Sequence, residues 1–218
     1  PAPGSWLADH WNTANSAYLD ATAPTYVGAI ALSPTAGPVG SSVAAQMSKF
    51  PPGVSVTLLF DQVTIGAGTT DGSGAVTIVF PVPVAVAGGH VVVARTSSLS
   101  VTATFKITPS LTASPRRSRA GRYIDVSAAG FGAGEAINFI ACGEKVLRAA
   151  ARQNGSLDTT IHLPKDAGEG KCTLTARGDS GREASTTLTI ITSTSSRRKL
   201  RAKSAQAAME APVPASAP

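Results

Sequence analysis

The chain repeats itself, and the repeat decides what it can fold into. Ser33-Pro34, Gly40 and Phe50 return 81 residues later as Ser114-Pro115, Gly121 and Phe131. Phe50-Pro-Pro-Gly53 leads into an apolar run over 54–60, and Phe131-Gly-Ala-Gly134 into a matching run over 135–141. Asp71-Gly-Ser-Gly-Ala-Val-Thr-Ile-Val-Phe-Pro81 lines up with Asn154-Gly-Ser-Leu-Asp-Thr-Thr-Ile-His-Leu-Pro164 at a shift of 83, and Ala94-Arg95 with Ala176-Arg177 at 82. Self-similarity at a fixed period marks a duplicated structural unit. The expected organisation is an N-terminal arm over 1–28, one module over 29–107, a second over 108–192, and a tail over 193–218.

Each copy reads as all-β. Val76, Ile78 and Phe80 alternate with Thr77 and Val79, and Thr159, Ile161 and Leu163 with Asp158, Thr160 and His162; a period of two marks a strand with one buried face. The Asp-Gly and Asn-Gly pairs beside them signal turns, because Gly and Asn tolerate positive φ. The segment 145–152 (KVLRAAAR) is rich in helix formers, yet its counterpart over 63–69 reads as strand, and the repeat predicts strand for both. Some seven short strands per copy indicate two-sheet sandwiches. The fold class is therefore all-β, two tandem sandwiches with non-globular N- and C-terminal arms.

The pattern Ser-Pro, Gly, Phe-Pro-Pro-Gly, Thr-Thr-Asp-Gly-Ser-Gly, Phe-Pro-Val-Pro, Ala-Gly resembles the bacterial immunoglobulin-like (IPT/TIG-like) modules that occur in tandem in surface and secreted proteins, over about 160 of the 218 residues. The resemblance implies an immunoglobulin-like fold and an extracytoplasmic spacer, adhesive or assembly role. Through Gly130-Phe-Gly-Ala-Gly134 and Cys142 the second copy also loosely resembles the neocarzinostatin-type apoproteins, which would imply a small-molecule carrier.

Residue chemistry narrows the function further. Cys142 and Cys172 are the only cysteines. A metal site would want more ligands at close spacing, which leaves a disulfide or, alternatively, two buried thiols. Closing a loop of about 30 residues would stabilise by roughly 3–4 kcal/mol and would imply an oxidising compartment. Their counterparts in the first copy are Asp61 and approximately His90, so that copy is expected to fold without the pair. No G-x-S-x-G elbow is present, and Asp71-Gly-Ser-Gly lacks the further acidic ligands of a calcium loop. No catalytic residue, metal or cofactor is assigned, and His162 is read as a surface residue.

Charge is distributed unevenly. Residues 1–107 carry a net −1 and residues 108–218 a net +7, so only the second half attracts polyanions at range. Arg116, Arg117, Arg119 and Arg122 stand where the first copy has Thr35, Ala36, Pro38 and Ser41, and Arg197, Arg198, Lys199 and Arg201 begin the tail. The plain reading is a solvated surface; as a binding surface they would suit an anionic glycan, a lipid headgroup, a wall polymer or an acidic protein. Nucleic acid ranks last, because single-strand binding wants aromatic platforms among the charges.

Residues 1–28 hold four of the eleven aromatics, including Trp6, Trp11 and Tyr18, and Leu7, Trp11, Ala14 and Tyr18 would align on one helical face. They are expected to dock, either on the chain's own first module or on a neighbour. The opening Pro-Ala-Pro-Gly lacks the features of a signal peptide, so the sequence reads as a processed product or part of a longer one. No apolar run reaches the roughly 18–20 residues of a membrane-spanning helix. The expected function is a non-enzymatic structural or assembly protein, extracellular or on the cell surface: a subunit or spacer of a filament, sheath or surface layer that self-associates or meets another surface protein. Its alternatives are a module binding glycan or wall polymer, appended to a larger enzyme, and the small-molecule carrier.

Overall fold

The computed structural model describes residues 25–191. Within them the chain forms sixteen strands and no helix. The first eight are β1 (Ala29–Ser33), β2 (Ala36–Pro38), β3 (Ser42–Ser48), β4 (Ser55–Phe60), β5 (Val63–Thr69), β6 (Val76–Pro81), β7 (Gly88–Arg95) and β8 (Ser100–Thr108). The second eight are β9 (Ser110–Ser114), β10 (Arg117–Ser118), β11 (Tyr123–Ala129), β12 (Ala136–Ala141), β13 (Glu144–Ala150), β14 (Leu157–His162), β15 (Gly170–Gly178) and β16 (Glu183–Ile190).

Each set makes one sandwich. A three-stranded sheet, β1-β3-β6, faces a five-stranded one, β2-β8-β7-β4-β5; β9-β11-β14 and β10-β16-β15-β12-β13 repeat the arrangement. All pairings are antiparallel except β2 with β8 and β10 with β16. The chain starts on the small sheet, passes a cis Ser-Pro bond (Ser33-Pro34, Ser114-Pro115), and completes its first strand on the opposite sheet. That crossing adds an eighth strand to the seven expected, and the strand order is the immunoglobulin-like one. The segment 145–152 is strand β13 over most of its length, not helix: pairing with β12 and packing of Val146 and Leu147 on the core override its intrinsic propensity.

The cores are separate clusters. Phe50, Phe60, Phe80, Phe105 and Met47 fill the first, and Phe131, Phe139, Ile137, Ile161 and Leu163 the second. One sequence register needs correction. Backbone bonds place Gly74 opposite Phe50 and Gly155 opposite Phe131, a shift of 81 where the sequence landmarks gave 83. The false match has a local cause. Asp71 Oδ1 accepts bonds from the Ser73 amide and hydroxyl, and Asn154 Oδ1 from those of Ser156. The same Asx-Gly-Ser turn is thus used two residues further along in the second copy.

Phe50 and Phe131 plug equivalent ends of their sandwiches. The Phe50 amide donates to the Gly74 carbonyl at 3.2 Å and the Phe131 amide to that of Gly155 at 3.0 Å. Both glycines have positive φ, and a Cβ on either would lie 1.9 Å from the Phe50 oxygen or 2.1 Å from the Phe131 oxygen.

Pro109 alone separates β8 from β9. The Ala87 amide of the first sandwich donates to the Gly130 carbonyl of the second at 3.0 Å, and Arg182 Nη2 reaches the Ala87 carbonyl at 3.4 Å. Arg182 is oriented by Glu135, whose nearly buried carboxylate also receives the Gly132 amide and the Ser180 amide and hydroxyl. Burial alone would raise the Glu135 pKa. The Ser180 hydroxyl, the two amides and the Arg182 charge outweigh it and hold the group below its ordinary value. The first sandwich therefore meets the second end to end, with the 28–99 end of one and the 121–191 end of the other facing away from the contact.

Two outcomes follow. Gly74→Ala or Gly155→Ala should lower urea-unfolding stability by at least about 1–2 kcal/mol, the cost of left-handed backbone for an L side chain, before the clash is added. Glu135 has a depressed folded pKa, so its contribution is present above the unfolded value near 4.5 and lost as pH falls through the folded one. The melting-temperature gap between wild type and Glu135→Gln should therefore be open at neutral pH and close on acidification below about 4.5.

Candidate functional site at the basic end of the second sandwich

The strand switch from β9 to β10 forces residues 115–122 across the outer end of the second sandwich. Their backbone is anchored at four points. The carbonyls of Arg116, Ser118 and Arg122 accept from the amides of Thr189, Ile191 and Leu163 at 2.8–2.9 Å, and the Gly121 amide donates to the Pro164 carbonyl at 3.2 Å. The side chains are not anchored. Arg116, Arg117, Arg119 and Arg122 are all exposed, and none makes an ion pair with a described residue.

The contrast with the other arginines of this sandwich is instructive. Arg148, Arg152, Arg177 and Arg182 are each paired with a carboxylate, to Asp179, Asp158, Glu183 and Glu135. Four arginines are thus neutralised locally and four are presented to solvent together at one end. Arg117 continues across the sheet into Thr189 on β16 and Lys171 on β15, an outward-facing row. Lys165, Asp166 and Glu169 occupy the neighbouring loop. Ile191, last of the described residues, is held against Ser118 at this end.

In the first sandwich the matching surface faces the junction. Thr35, Ala36, Pro38 and Ser41 replace the arginines, and the loop Val84, Ala85, Val86, Ala87 stands where the second sandwich has Lys165, Asp166, Ala167, Gly168. Two equivalent ends of one duplicated fold have opposite surfaces, one apolar against its neighbour and one basic. Tyr123 stands beside this end, 70% exposed and edge-on to His162 at 4.7 Å between ring centroids. His162 is thus an aromatic neighbour in a half-exposed site, and Tyr123 is an aromatic free for contact.

Cys142 and Cys172 form a disulfide. It closes the same end, beside a shallow open depression of about 410 Å³ bordered by Gly143, Gly168 and Lys171. Cys142 and Gly143 make the two-residue β12–β13 turn, both at positive φ, as do Asp61 and Gln62 between β4 and β5, the geometry of a type I′ hairpin. The Cys142 amide donates to the Thr173 carbonyl at 3.0 Å and the Asp61 amide to the Val91 carbonyl at 3.0 Å. Where the second sandwich has its covalent bond, the first has a carboxylate–imidazole contact: Asp61 Oδ2 meets His90 Nδ1, His90 Nε2 lies 2.8 Å from the Val86 carbonyl, and its ring stacks on Phe60 at 5.2 Å. The sequence carried the signal, since Asp61 and His90 occupy the cysteine positions, but only the structure shows them in contact. Trp6, Trp11, Tyr18, Arg197, Arg198, Lys199 and Arg201 lie outside the described residues.

No family model matches the chain, and neither does any curated protein. Among solved structures it is similar to the Yersinia pseudotuberculosis adhesin InvE, at 13% identity over 76% of this chain and 59% of that one, TM-score 0.37. It is similar to invasin, a bacterial integrin-binding protein, at 15% identity over 76% and 39%, TM-score 0.36. A third is a Bacteroides ovatus mixed-linkage glucan utilization locus protein, SGBP-B, solved with a mixed-linkage heptasaccharide, at 16% identity over 72% and 43%, TM-score 0.35. The chain spans 59% of the length of the first of these. At such values the fold assignment rests on the strand order and registers given above.

The equivalence of the two clamps is open to a direct check. The double variant Asp61→Cys, His90→Cys should close a disulfide on air oxidation, leaving no titratable thiol. It should gain about 2–3 kcal/mol of unfolding stability, a loop-closure contribution of roughly 3–4 kcal/mol less up to about 1 kcal/mol for the lost Asp61–His90 contact.

Proposed function

We propose that the chain is a non-enzymatic extracellular spacer, two end-to-end immunoglobulin-like sandwiches that hold an anionic surface polymer through the basic end of the second. The observation that carries this reading is the set Arg116, Arg117, Arg119 and Arg122, fixed in backbone, exposed in side chain and without a described carboxylate partner. Unpaired guanidinium groups grouped on one rigid end offer forked donors to sulfate, phosphate or carboxylate. The disulfide fits an oxidising compartment. Exposed Tyr123 adds an aromatic face of the sort that sugar rings stack on, which favours an acidic glycan over an acidic protein.

The single-residue connection and the bonds through Ala87 suit a spacer, since they restrict rotation between the sandwiches. Assembly into a filament, sheath or surface layer is the wider setting of the same reading: the basic end fastens to polymer and the second module sets the distance to the first.

Immobilised heparin serves as a polyanion probe. The wild-type chain should be retained and released by salt, as screening requires. Changing Arg116, Arg117, Arg119 and Arg122 together to Ala should weaken binding about tenfold or more, a few tenths of a kcal/mol per exposed charge. Changing the paired Arg148 and Arg177 to Ala should leave elution near the wild-type salt concentration. Equal losses in both variants would reduce the effect to net charge and sink the proposal.

A further inference from the structure

The outer face of the five-stranded sheet in the first sandwich carries an apolar pair that the core does not account for. Leu59 on β4 and Val93 on β7 are direct cross-strand partners. Leu58, Phe60, Val92 and Ala94 point into the core, so alternation sends Leu59 and Val93 to the opposite face. Both are nonetheless buried, at 8% and 5% exposure. Their row ends in exposed threonines, Thr64 on β5 and Thr102 on β8. In the second sandwich the same positions are Ile140 and Thr175, again direct partners, and both are half-exposed. None of the described strands is laid across the first sandwich's outer face. Two copies of one sheet thus differ in the burial of the same outward pair, and the difference calls for a cover on the first.

We infer that residues 1–24 of the same chain dock across this face, with their aromatic side chains over Leu59 and Val93. Three observations select that occupant. The first is where the described chain begins. The Gly28 amide is held by the Lys49 carbonyl at 3.1 Å, and a Cβ there would lie 2.7 Å from Leu99 and 3.0 Å from Val101. The preceding segment therefore arrives beside the start of β8, two residues along the strand from Thr102 and the buried row.

The second is dimension. Wound as a helix, Leu7, Trp11, Ala14 and Tyr18 would share one face. At about 1.5 Å per residue such a face runs about 16 Å, against about 14 Å from β8 across β7 and β4 to β5 at strand spacings near 4.8 Å. The third is charge. The segment contains Asp9 and Asp20 and no Lys or Arg. The sheet face carries exposed Arg95 on β7 and Lys106 on β8, and neither makes an ion pair with a described residue.

Both tryptophans of the chain lie in residues 1–24, so tryptophan emission reads this segment and nothing else. The intact chain should emit to the blue of free tryptophan amide and resist acrylamide quenching, independently of protein concentration. Val93→Lys and Leu59→Lys should move emission to the red and raise quenching towards the urea-unfolded value, with the far-ultraviolet dichroism of the sheets unchanged. Val93→Thr introduces the residue type that the second sandwich carries at this position, Thr175, and should give a smaller shift in the same direction. Thr175→Lys should give none. Emission like that of free indole in the wild type, or emission indifferent to both Val93 variants, overturns the inference. A blue shift that develops only with rising concentration, together with a dimer on size-exclusion chromatography, overturns it too and gives the face to a second copy.

Discussion

Burial of one phenylalanine at the end of each sandwich is the constraint on which much of the rest depends. Phe50 and Phe131 are fully buried, and each sits at the bend where the small sheet hands the chain to β4 or β12. A side chain of that size stabilises by about 1.5–3 kcal/mol when withdrawn from water, but only if the backbone around it is satisfied. Gly74 and Gly155 provide that satisfaction from the neighbouring loop, in a conformation and at a distance that exclude a Cβ. The second of these plugs also builds the junction. Gly130, immediately before Phe131, supplies the carbonyl that receives the Ala87 amide, and Gly155 has Val86 3.3 Å from its Cβ position. The feature that closes a sandwich is the one that accepts its neighbour.

Duplication then explains the asymmetry. Two copies of the same fold joined in series have one end of each in contact and one end of each exposed, so residues equivalent by position face different surroundings. The loop over 84–87 is apolar where it approaches the second sandwich, and its counterpart over 165–168 is charged. The hairpin turn between the fourth and fifth strands of each copy is tied down by different chemistry. Asp61 and His90 close the inner turn with a side-chain contact whose imidazole stacks on Phe60, and Cys142 and Cys172 close the outer one covalently. With Asp61 46% exposed, the inner contact is an open one of the kind that contributes little; the covalent bond at the outer turn does not depend on shielding.

The fold was largely legible in the sequence because its signals are local. Alternation at 76–80 and 157–163, Asx-Gly turns and the spacing of Ser-Pro landmarks each report on a few adjacent residues, and they agreed. One error came from the same locality. The Asx-Gly-Ser tripeptide recurs at 71 and 154 with the same hydrogen bonds, so matching it misplaced the loop by two residues, whereas the Phe–Gly bonds give 81. The helix-forming composition of 145–152 would have misled without the repeat. The site was less legible. The arginines were visible as a cluster, but their lack of partners is a property of space: Arg152 and Asp158 pair across a loop, and Arg148 and Asp179 pair between elements 31 residues apart. Nothing in the spacing alone separates them from Arg116 or Arg122. The contact between Asp61 and His90 was hidden for the same reason, at a separation of 29 residues.

The remaining consequence concerns the sheet faces. Along β15 and β16 the outward positions are Thr173, Thr175, Ser185, Thr187 and Thr189, flanked by Lys171, Arg177 and Glu183, a surface that is β-forming and hydrophilic at once. The first sandwich keeps threonines at Thr102 and Thr104 on β8 but places Val91, Val93 and Leu59 on the adjoining strands. Apolar side chains on an outward sheet face lose burial energy unless something is laid over them, and a sheet with such a stripe is prone to unwanted association. A threonine-faced sheet needs no cover, and an aliphatic one does. The difference between the two sandwiches therefore lies in their outward side chains, threonine and charge on the second and an aliphatic stripe on the first.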